Sequence, residues 1–130
     1  MPIAYQRDDQ RRLITVTVTD PWSVDDILSV IDRQAGEETW EYALLYDLRA
    51  VTEIAAEGDL QQIADRVKVV GSGRERGEVG IAIPARSAVF LSGMMYTSLT
   101  KGFVTVEVLL SAAQIDTWLL RNAPSRSSPH

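Results

Sequence analysis

Two charged residues in the middle of the chain are the strongest candidates for a binding site. The segment Tyr42–Tyr46 is almost entirely apolar, and Asp47 and Arg49 follow it closely. A carboxylate and a guanidinium in such a position can bind a small anion or a polar group of a partner. In the alternative interpretation, Asp47 accepts hydrogen bonds from the next loop's backbone, and Arg49 pairs with a nearby carboxylate such as Glu53. The sequence leaves both interpretations open.

The apolar segment also predicts where these two side chains lie. A short apolar run without polar alternation is typical of a strand buried on both faces, as in the parallel part of an α/β sheet. Such sheets meet their ligands and partners at the carboxyl ends of their strands. We therefore expect Asp47 and Arg49 at that edge of the sheet.

A second candidate site follows another predicted buried strand, Val79–Ile83, where Pro84 begins a helix predicted to run to about residue 101. The free backbone N–H groups at its start would face the same edge as Asp47, and Arg86 and Ser87 would help them to hold an anion. The alternative is ordinary helix initiation, with proline at an early position and serine as a local cap.

The same predicted helix is apolar on more than one side, over the residues Val-Phe-Leu-Ser-Gly-Met-Met-Tyr at 89–96. Methionine adapts to varied apolar shapes, so Met94, together with Tyr96, suits a flexible contact surface. Three interpretations remain: a plain core helix, a homodimer contact, or a wall of a cavity for a lipid-like ligand.

The glycine-rich loop over 71–77 does not predict a phosphate site. Its glycines do not fit the G-x-G-x-x-G spacing, and they precede a strand where a phosphate loop would open a helix. We expect Arg74 and Arg76 to lie in a solvated turn.

Composition excludes several functional classes. The chain has 130 residues and a net charge of −5, which disfavours binding to nucleic acid or to an anionic membrane. It has no cysteine, and its one histidine is His130, the last residue of a polar tail. We therefore expect no catalytic triad, metal site or cofactor, and no enzymatic activity. No signal-like N-terminus and no apolar run of ~20 residues is present, which predicts a soluble cytoplasmic protein without membrane insertion.

Periodicity predicts the order β-β-α-β-α-β-α-β-α, in which an N-terminal hairpin leads into alternating strands and helices. This order is typical of an α/β domain with a five-stranded, mainly parallel sheet and an antiparallel N-terminal strand. The predicted domain spans residues 1–121, and residues 122–130 form a flexible tail. If successive strands are laid down in one direction, all helices lie on one face. The other face would then carry the threonines of the second strand and the small residues Ala43, Gly80 and Ala82.

The chain resembles the STAS-like superfamily of bacterial domains, which have an anti-sigma-factor-antagonist-like fold. Their small stand-alone members are often described alongside CRAL-TRIO lipid-binding domains. The resemblance covers almost the whole chain and rests on the order of four segments. These are 44–49 (LLYDLR), 77–84 (GEVGIAIP), Met95-Tyr96, and the stretch from Val106-Glu107-Val108 to Trp118-Leu119.

The resemblance implies a non-enzymatic regulatory or protein-interaction module, with a protein partner or a second copy of the chain bound to it. In signalling members, a phosphorylated serine or threonine lies just after the third strand, in an Asp-Ser-Ser-Gly-like loop. That motif is absent here, and Thr52 is the nearby hydroxyl that the resemblance assigns to phosphorylation, with the acidic Glu53 beside it. The alternative function is the binding of a small apolar or lipid-like ligand.

Overall fold

The computed structural model describes residues 3–52, 57–71, 73, 76–83 and 105–123. In chain order, the elements are β1 (Ile3–Asp8), β2 (Leu13–Thr19), α1 (Val24–Gly36), β3 (Ala43–Ala50), α2 (Glu57–Val70), β4 (Val79–Ala82), β5 (Val106–Leu109) and α3 (Ala112–Asn122). The helix predicted from Pro84 lies outside the described residues.

The five strands form one sheet in the order β1-β2-β3-β4-β5. β1 is antiparallel to β2, and every other neighbouring pair is parallel. The predicted α/β architecture with an antiparallel N-terminal strand is therefore confirmed. The central apolar run is also an interior strand, because Ala43, Leu44, Leu45 and Tyr46 are all buried.

Helices α1 and α2 cover one face of the sheet. The alternating residues Ile14, Val16 and Val18 of β2 point toward this face and belong to the larger of two apolar clusters. That cluster also contains apolar residues of α1 and α2, namely Ile27, Val30, Ile31, Leu60, Ile63 and Val67. Burial of these side chains stabilises the fold by roughly 1.5–3 kcal/mol each relative to exposure.

Helix α3 lies on the opposite face, so the prediction that all helices share one face is wrong. Its Ile115 and Trp118 pack with Ala43, Leu45 and Ala82 in the second apolar cluster. Connections between two parallel strands of one sheet are right-handed, and this fixes the face of the sheet on which the connecting helix lies. α3 follows the last strand and returns to no other, so the rule does not apply to it.

Glycine in β4 makes the close packing of α3 possible. A Cβ atom at Gly80 would lie 2.9 Å from Cε2 of Trp118, whose side chain is 1% exposed. At its far end α3 reaches the β1–β2 turn, where Nε of Arg11 donates to the carbonyl oxygen of Ala123 at 2.9 Å. The helix therefore crosses the sheet from β5 toward β2 and leaves part of this face open.

Caps fix where α1 and α3 begin. Ser23 and Asp26 form a reciprocal capping box at the start of α1. Ser111 caps α3 by accepting a hydrogen bond from the backbone N–H of Gln114. Glu107 interrupts the apolar pattern of β5, which lies at the edge of the sheet, and pairs with Arg121 of α3 at 2.8 Å.

Candidate functional site

The carboxyl edge of the parallel strands brings Asp47 and Arg49 together. Parallel register places Asp47 beside Thr17 of β2 and Ala82 of β4. Because side chains two residues apart in a strand point to the same face, Arg49 can reach back to Asp47. We call this pair, with the neighbouring Thr52, the carboxyl-edge site.

The pair is a two-point ion pair with a third hydrogen bond from the backbone. Nε of Arg49 donates to Oδ1 of Asp47 at 2.9 Å, and its terminal NH2 nitrogen donates to Oδ2 at 2.8 Å. The backbone N–H of Arg49 also donates to Oδ1, at 3.1 Å. Hydrogen bonding from Arg49 lowers the pKa of Asp47. Both carboxylate oxygens are thus engaged, which leaves Asp47 ill-suited to accept a proton from a substrate.

The outer side of this pair faces solvent. The Arg49 side chain is 54% exposed and the Asp47 side chain 20%. Asp47 accepts a hydrogen bond from the backbone that follows it, as one of the two interpretations predicted. The carboxylate that pairs with Arg49 is Asp47. The predicted pairing of Arg49 with Glu53 falls on a residue outside the described ranges.

Thr52 joins two loops at the same edge. Its backbone N–H donates to Oδ2 of Asp20 at 2.8 Å, and its hydroxyl donates to the same oxygen. Asp20 follows β2 and Thr52 follows β3, so these bonds hold the ends of two adjacent parallel strands together. Thr52 is exposed, which leaves its side chain accessible from solvent.

The remaining predicted site residues, Arg86, Ser87, Met94 and Tyr96, lie outside the described residues. Their assignment to an anion site, a dimer contact or a lipid cavity therefore stays a prediction.

The opposite, amino edge of the sheet carries a second cluster that the sequence did not reveal. We call Gln34, Thr39, Trp40 and Arg76 the amino-edge cluster. The guanidinium carbon of Arg76 lies 3.9 Å from the ring centroid of Trp40, and its NH1 nitrogen donates to Oε1 of Gln34 at 2.6 Å. Arg76 is only half-exposed, so the prediction of a solvated turn is wrong for this residue.

Buried polar groups support that arginine. Gln34 is 0% and Thr39 1% exposed. Nε2 of Gln34 donates to the carbonyl oxygen of Thr39 at 2.8 Å, and the Thr39 hydroxyl donates back to the carbonyl oxygen of Gln34 at 3.3 Å. These contacts join α1, the approach to β3 and the approach to β4. The contacts between Arg76 and its partners span 36 residues or more of sequence, and no local pattern predicts them.

Other arginines at the amino edge also lie over aromatic rings. The Tyr42 ring is flanked by the guanidinium groups of Arg7 at 5.7 Å and Arg12 at 5.2 Å. Its hydroxyl donates to Oδ1 of Asp9 at 2.7 Å. Cations over aromatic faces gain about 0.5–1 kcal/mol at exposed sites.

Within the described ranges, no group of three or more histidine, cysteine, aspartate or glutamate side chains is arranged to hold a metal ion. None of the helices in that part of the chain has the length and apolar character needed to cross a membrane.

Comparisons with family models, with curated proteins and with solved structures return no match to this chain. The resemblance to STAS-like domains therefore stays a prediction from the sequence.

Proposed function

We propose that this chain is a non-enzymatic protein-interaction module of the STAS-like regulatory type. Its partner is another protein or a second copy of the chain, bound at the carboxyl-edge site. The observation that carries the proposal is the Asp47–Arg49 pair, which is held rigidly by three hydrogen bonds and still exposes half of the arginine.

A pre-ordered arginine lowers the cost of binding. Fixing a long, flexible side chain at an interface costs about 0.5–1.5 kcal/mol. Asp47 already holds Arg49 in one geometry, so a partner carboxylate or backbone carbonyl would meet a donor that needs no further ordering. Arginine is also enriched among the residues that dominate interface energies.

The open part of the second face extends this surface. Thr15 and Thr17 of β2 are half-buried, and Thr19 is exposed. Thr17 is the strand neighbour of Asp47, so hydroxyl groups adjoin the charged pair. A polar surface beside a fixed ion pair suits a transient interface, which is typically about as polar as the rest of a protein's surface.

The regulatory part of the proposal concerns Thr52. A phosphoryl group there would add about −1.5 to −2 charges beside the Asp20 carboxylate that now accepts from the Thr52 hydroxyl. Repulsion between the two groups would separate the loops that follow β2 and β3. Phosphorylation would therefore alter the partner surface at its edge.

Site-specific photo-crosslinking in the source cells tests the proposal. A benzophenone amino acid replaces Thr19, which lies beside the carboxyl-edge site as the strand neighbour of Ala50, or, as the control, Val69, which is 74% exposed on α2. We expect a discrete adduct, with a partner or a second copy, from position 19 and none from position 69. The substitution Arg49→Gln should weaken that adduct, whereas Arg66→Gln, which breaks the exposed Arg66–Asp32 pair, should not.

Two results would contradict the proposal. One is the absence of any adduct from position 19, and the other is equal labelling from both positions. Either would mean that the carboxyl-edge site contacts no specific protein. For the regulatory part, intact-mass analysis after kinase treatment that places the phosphate away from Thr52 would reject the assigned residue.

A further inference from the structure

A polar pocket opens at the amino edge of the sheet, at the opposite end of β3 and β4 from the carboxyl-edge site. Its volume is about 360 Å³, and its lining includes Arg12, Glu41, Arg76, Gly77, Glu78 and Asn122. Ligand pockets in proteins typically measure roughly 300–1,000 Å³. The space therefore suits a small molecule, and its walls are mainly polar.

One wall of the pocket carries the guanidinium group of Arg76, which is held in place before any ligand binds. The guanidinium group of Arg76 lies over the ring of Trp40, which is 3% exposed, and donates a hydrogen bond to the fully buried Gln34. A guanidinium presents a planar fork of N–H donors that matches a carboxylate. Because the arginine is already ordered, an anion that binds it avoids most of the usual entropy cost.

The backbone beside Arg76 is fixed as well. The N–H of Gly77 donates to the carbonyl oxygen of Trp40 at 3.1 Å. A Cβ atom at position 77 would overlap the backbone carbonyl oxygens of Glu41 and Tyr42, so only glycine fits there. The segment that carries Arg76 and Glu78 is thereby held against the segment that carries Glu41.

Among the described residues that line the pocket, two are arginines and two are glutamates. Arg12 and Glu41 form a long ion pair at 3.4 Å, with both side chains largely exposed. The carboxylate of Glu78 makes no hydrogen bond or ion pair with any residue in the described part of the chain. The glutamates would repel a ligand that carries only a negative charge, and the arginines would repel one that carries only a positive charge. A ligand with one charge of each sign can place each charge beside a side chain of opposite sign.

We propose that this pocket binds a small zwitterion of the size of a free amino acid or dipeptide. Its carboxylate lies on Arg76, and its ammonium group lies on Glu78. This site is independent of the proposed partner surface, because the two lie at opposite ends of the parallel strands. An open, solvated pocket with two charged contacts predicts a dissociation constant on the order of 1 mM.

NMR titration of the whole ¹⁵N-labelled chain tests the proposal, with glycylglycine as the probe. We expect saturable shifts in the backbone amide signals of Gly77 and Glu78 and in the side-chain amide of Asn122. Acetylglycine, which lacks the ammonium group, and glycinamide, which lacks the carboxylate, should each bind at least ~10-fold more weakly, the equivalent of one lost charge-assisted contact.

Matched charge variants separate the site from a general charge effect. Glu78→Gln removes the proposed ammonium partner and should weaken glycylglycine binding by about 10-fold, again one charge-assisted contact. Asp25→Asn makes the same charge change on the exposed first turn of α1, near the other edge, and should leave binding unchanged. Both residues are exposed, so we expect both variants to fold.

Three results would overturn the proposal. The first is no shift at the three reporter signals up to ~20 mM probe, well above the expected dissociation constant. The second is equal binding of all three ligands, which would indicate a nonspecific ionic effect. The third is equal weakening by Glu78→Gln and Asp25→Asn.

Discussion

The substitution Gly80→Ala tests the position of α3 through the sign of its effect on stability. A Cβ atom at this position would lie 2.9 Å from Cε2 of Trp118 and 3.1 Å from Cδ1 of Leu109. Favourable carbon–carbon contacts lie at about 3.5–4.0 Å. The added methyl group would therefore press α3 away from the sheet by several tenths of an ångström.

Two opposing contributions set the size of this effect. Overpacking of a well-packed core costs about 1–3 kcal/mol. Alanine is favoured over glycine within a strand by roughly 0.5–1 kcal/mol, because glycine loses more backbone freedom on folding. We expect a net loss of about 0–2.5 kcal/mol in the free energy of unfolding. If α3 lay elsewhere, the contact with Trp118 would be absent and only the contact with Leu109 would oppose the stabilising effect of alanine, so the loss would shrink or become a gain.

A double-mutant cycle isolates the contact. Trp118→Leu should cost roughly 2–4 kcal/mol by itself, because the indole is almost completely buried. In that background Gly80→Ala should cost less than in the original chain, because the clashing ring atoms are gone and only the contact with Leu109 remains. The coupling energy should fall in the range of about 0.5–3 kcal/mol that is found for residues in contact.

Urea denaturation followed by circular dichroism measures all four proteins of the cycle. The reasoning is refuted if Gly80→Ala stabilises the original chain. It is also refuted if the substitution costs the same with and without Trp118.

Three further predictions concern the two edges of the sheet, and urea denaturation measures each. Gln34→Ala removes two side-chain hydrogen bonds at a fully buried position, one to Thr39 and one from Arg76. It should lower the free energy of unfolding by roughly 2–4 kcal/mol, because both partners lose a hydrogen bond. A loss below ~0.5 kcal/mol would show that water replaces the missing bonds. Gly77→Ala should cost at least ~3 kcal/mol, because its methyl group would overlap the Tyr42 carbonyl oxygen; a neutral effect would mean that the backbone is not held there. Asp47→Asn should cost about 0.5–1 kcal/mol at neutral pH, a value kept small by solvent screening. The pKa of Asp47 is lowered in the folded state, so its ion pair stabilises the protein above the unfolded pKa of ~4. This stabilisation is lost as the pH falls through the lower folded pKa. If the original chain and the variant still differed in stability at low pH, the ion pair would be contradicted.

Local patterns predicted the elements that depend on local chemistry. Apolar residues alternate with threonine over Leu13–Thr19, which is the two-residue period of a half-buried strand, and β2 has these ends. Ser23 and Asp26 are a sequence signal for the start of a helix, and α1 begins there. In each case the deciding interactions lie within a few positions of sequence or follow one strand's period.

Features that depend on distant contacts were not predicted. The face chosen by α3 follows from packing of Trp118 over Gly80, and no handedness rule constrains a helix after the last strand. The contact of Arg76 with Trp40 joins two loops that neighbour each other only after β3 and β4 pair. The sequence does contain the signal for the Asp47–Arg49 pair, although it was not predicted, because residues two apart in a strand point to the same face.

The spatial order of the strands is also their order in the sequence, and this bears on how the chain is made. As each strand leaves the ribosome, its neighbour in the sheet has already been synthesised. The sheet can therefore grow in one direction during translation, which occurs at about 5–20 residues per second. Helix α3 is synthesised after all five strands, and the bond between Arg11 and Ala123 joins the first hairpin to the end of that helix. Until α3 packs, Leu13, Ala43 and Leu45 lack the contacts of Ile115 and Trp118, and apolar surface that is exposed during folding favours aggregation.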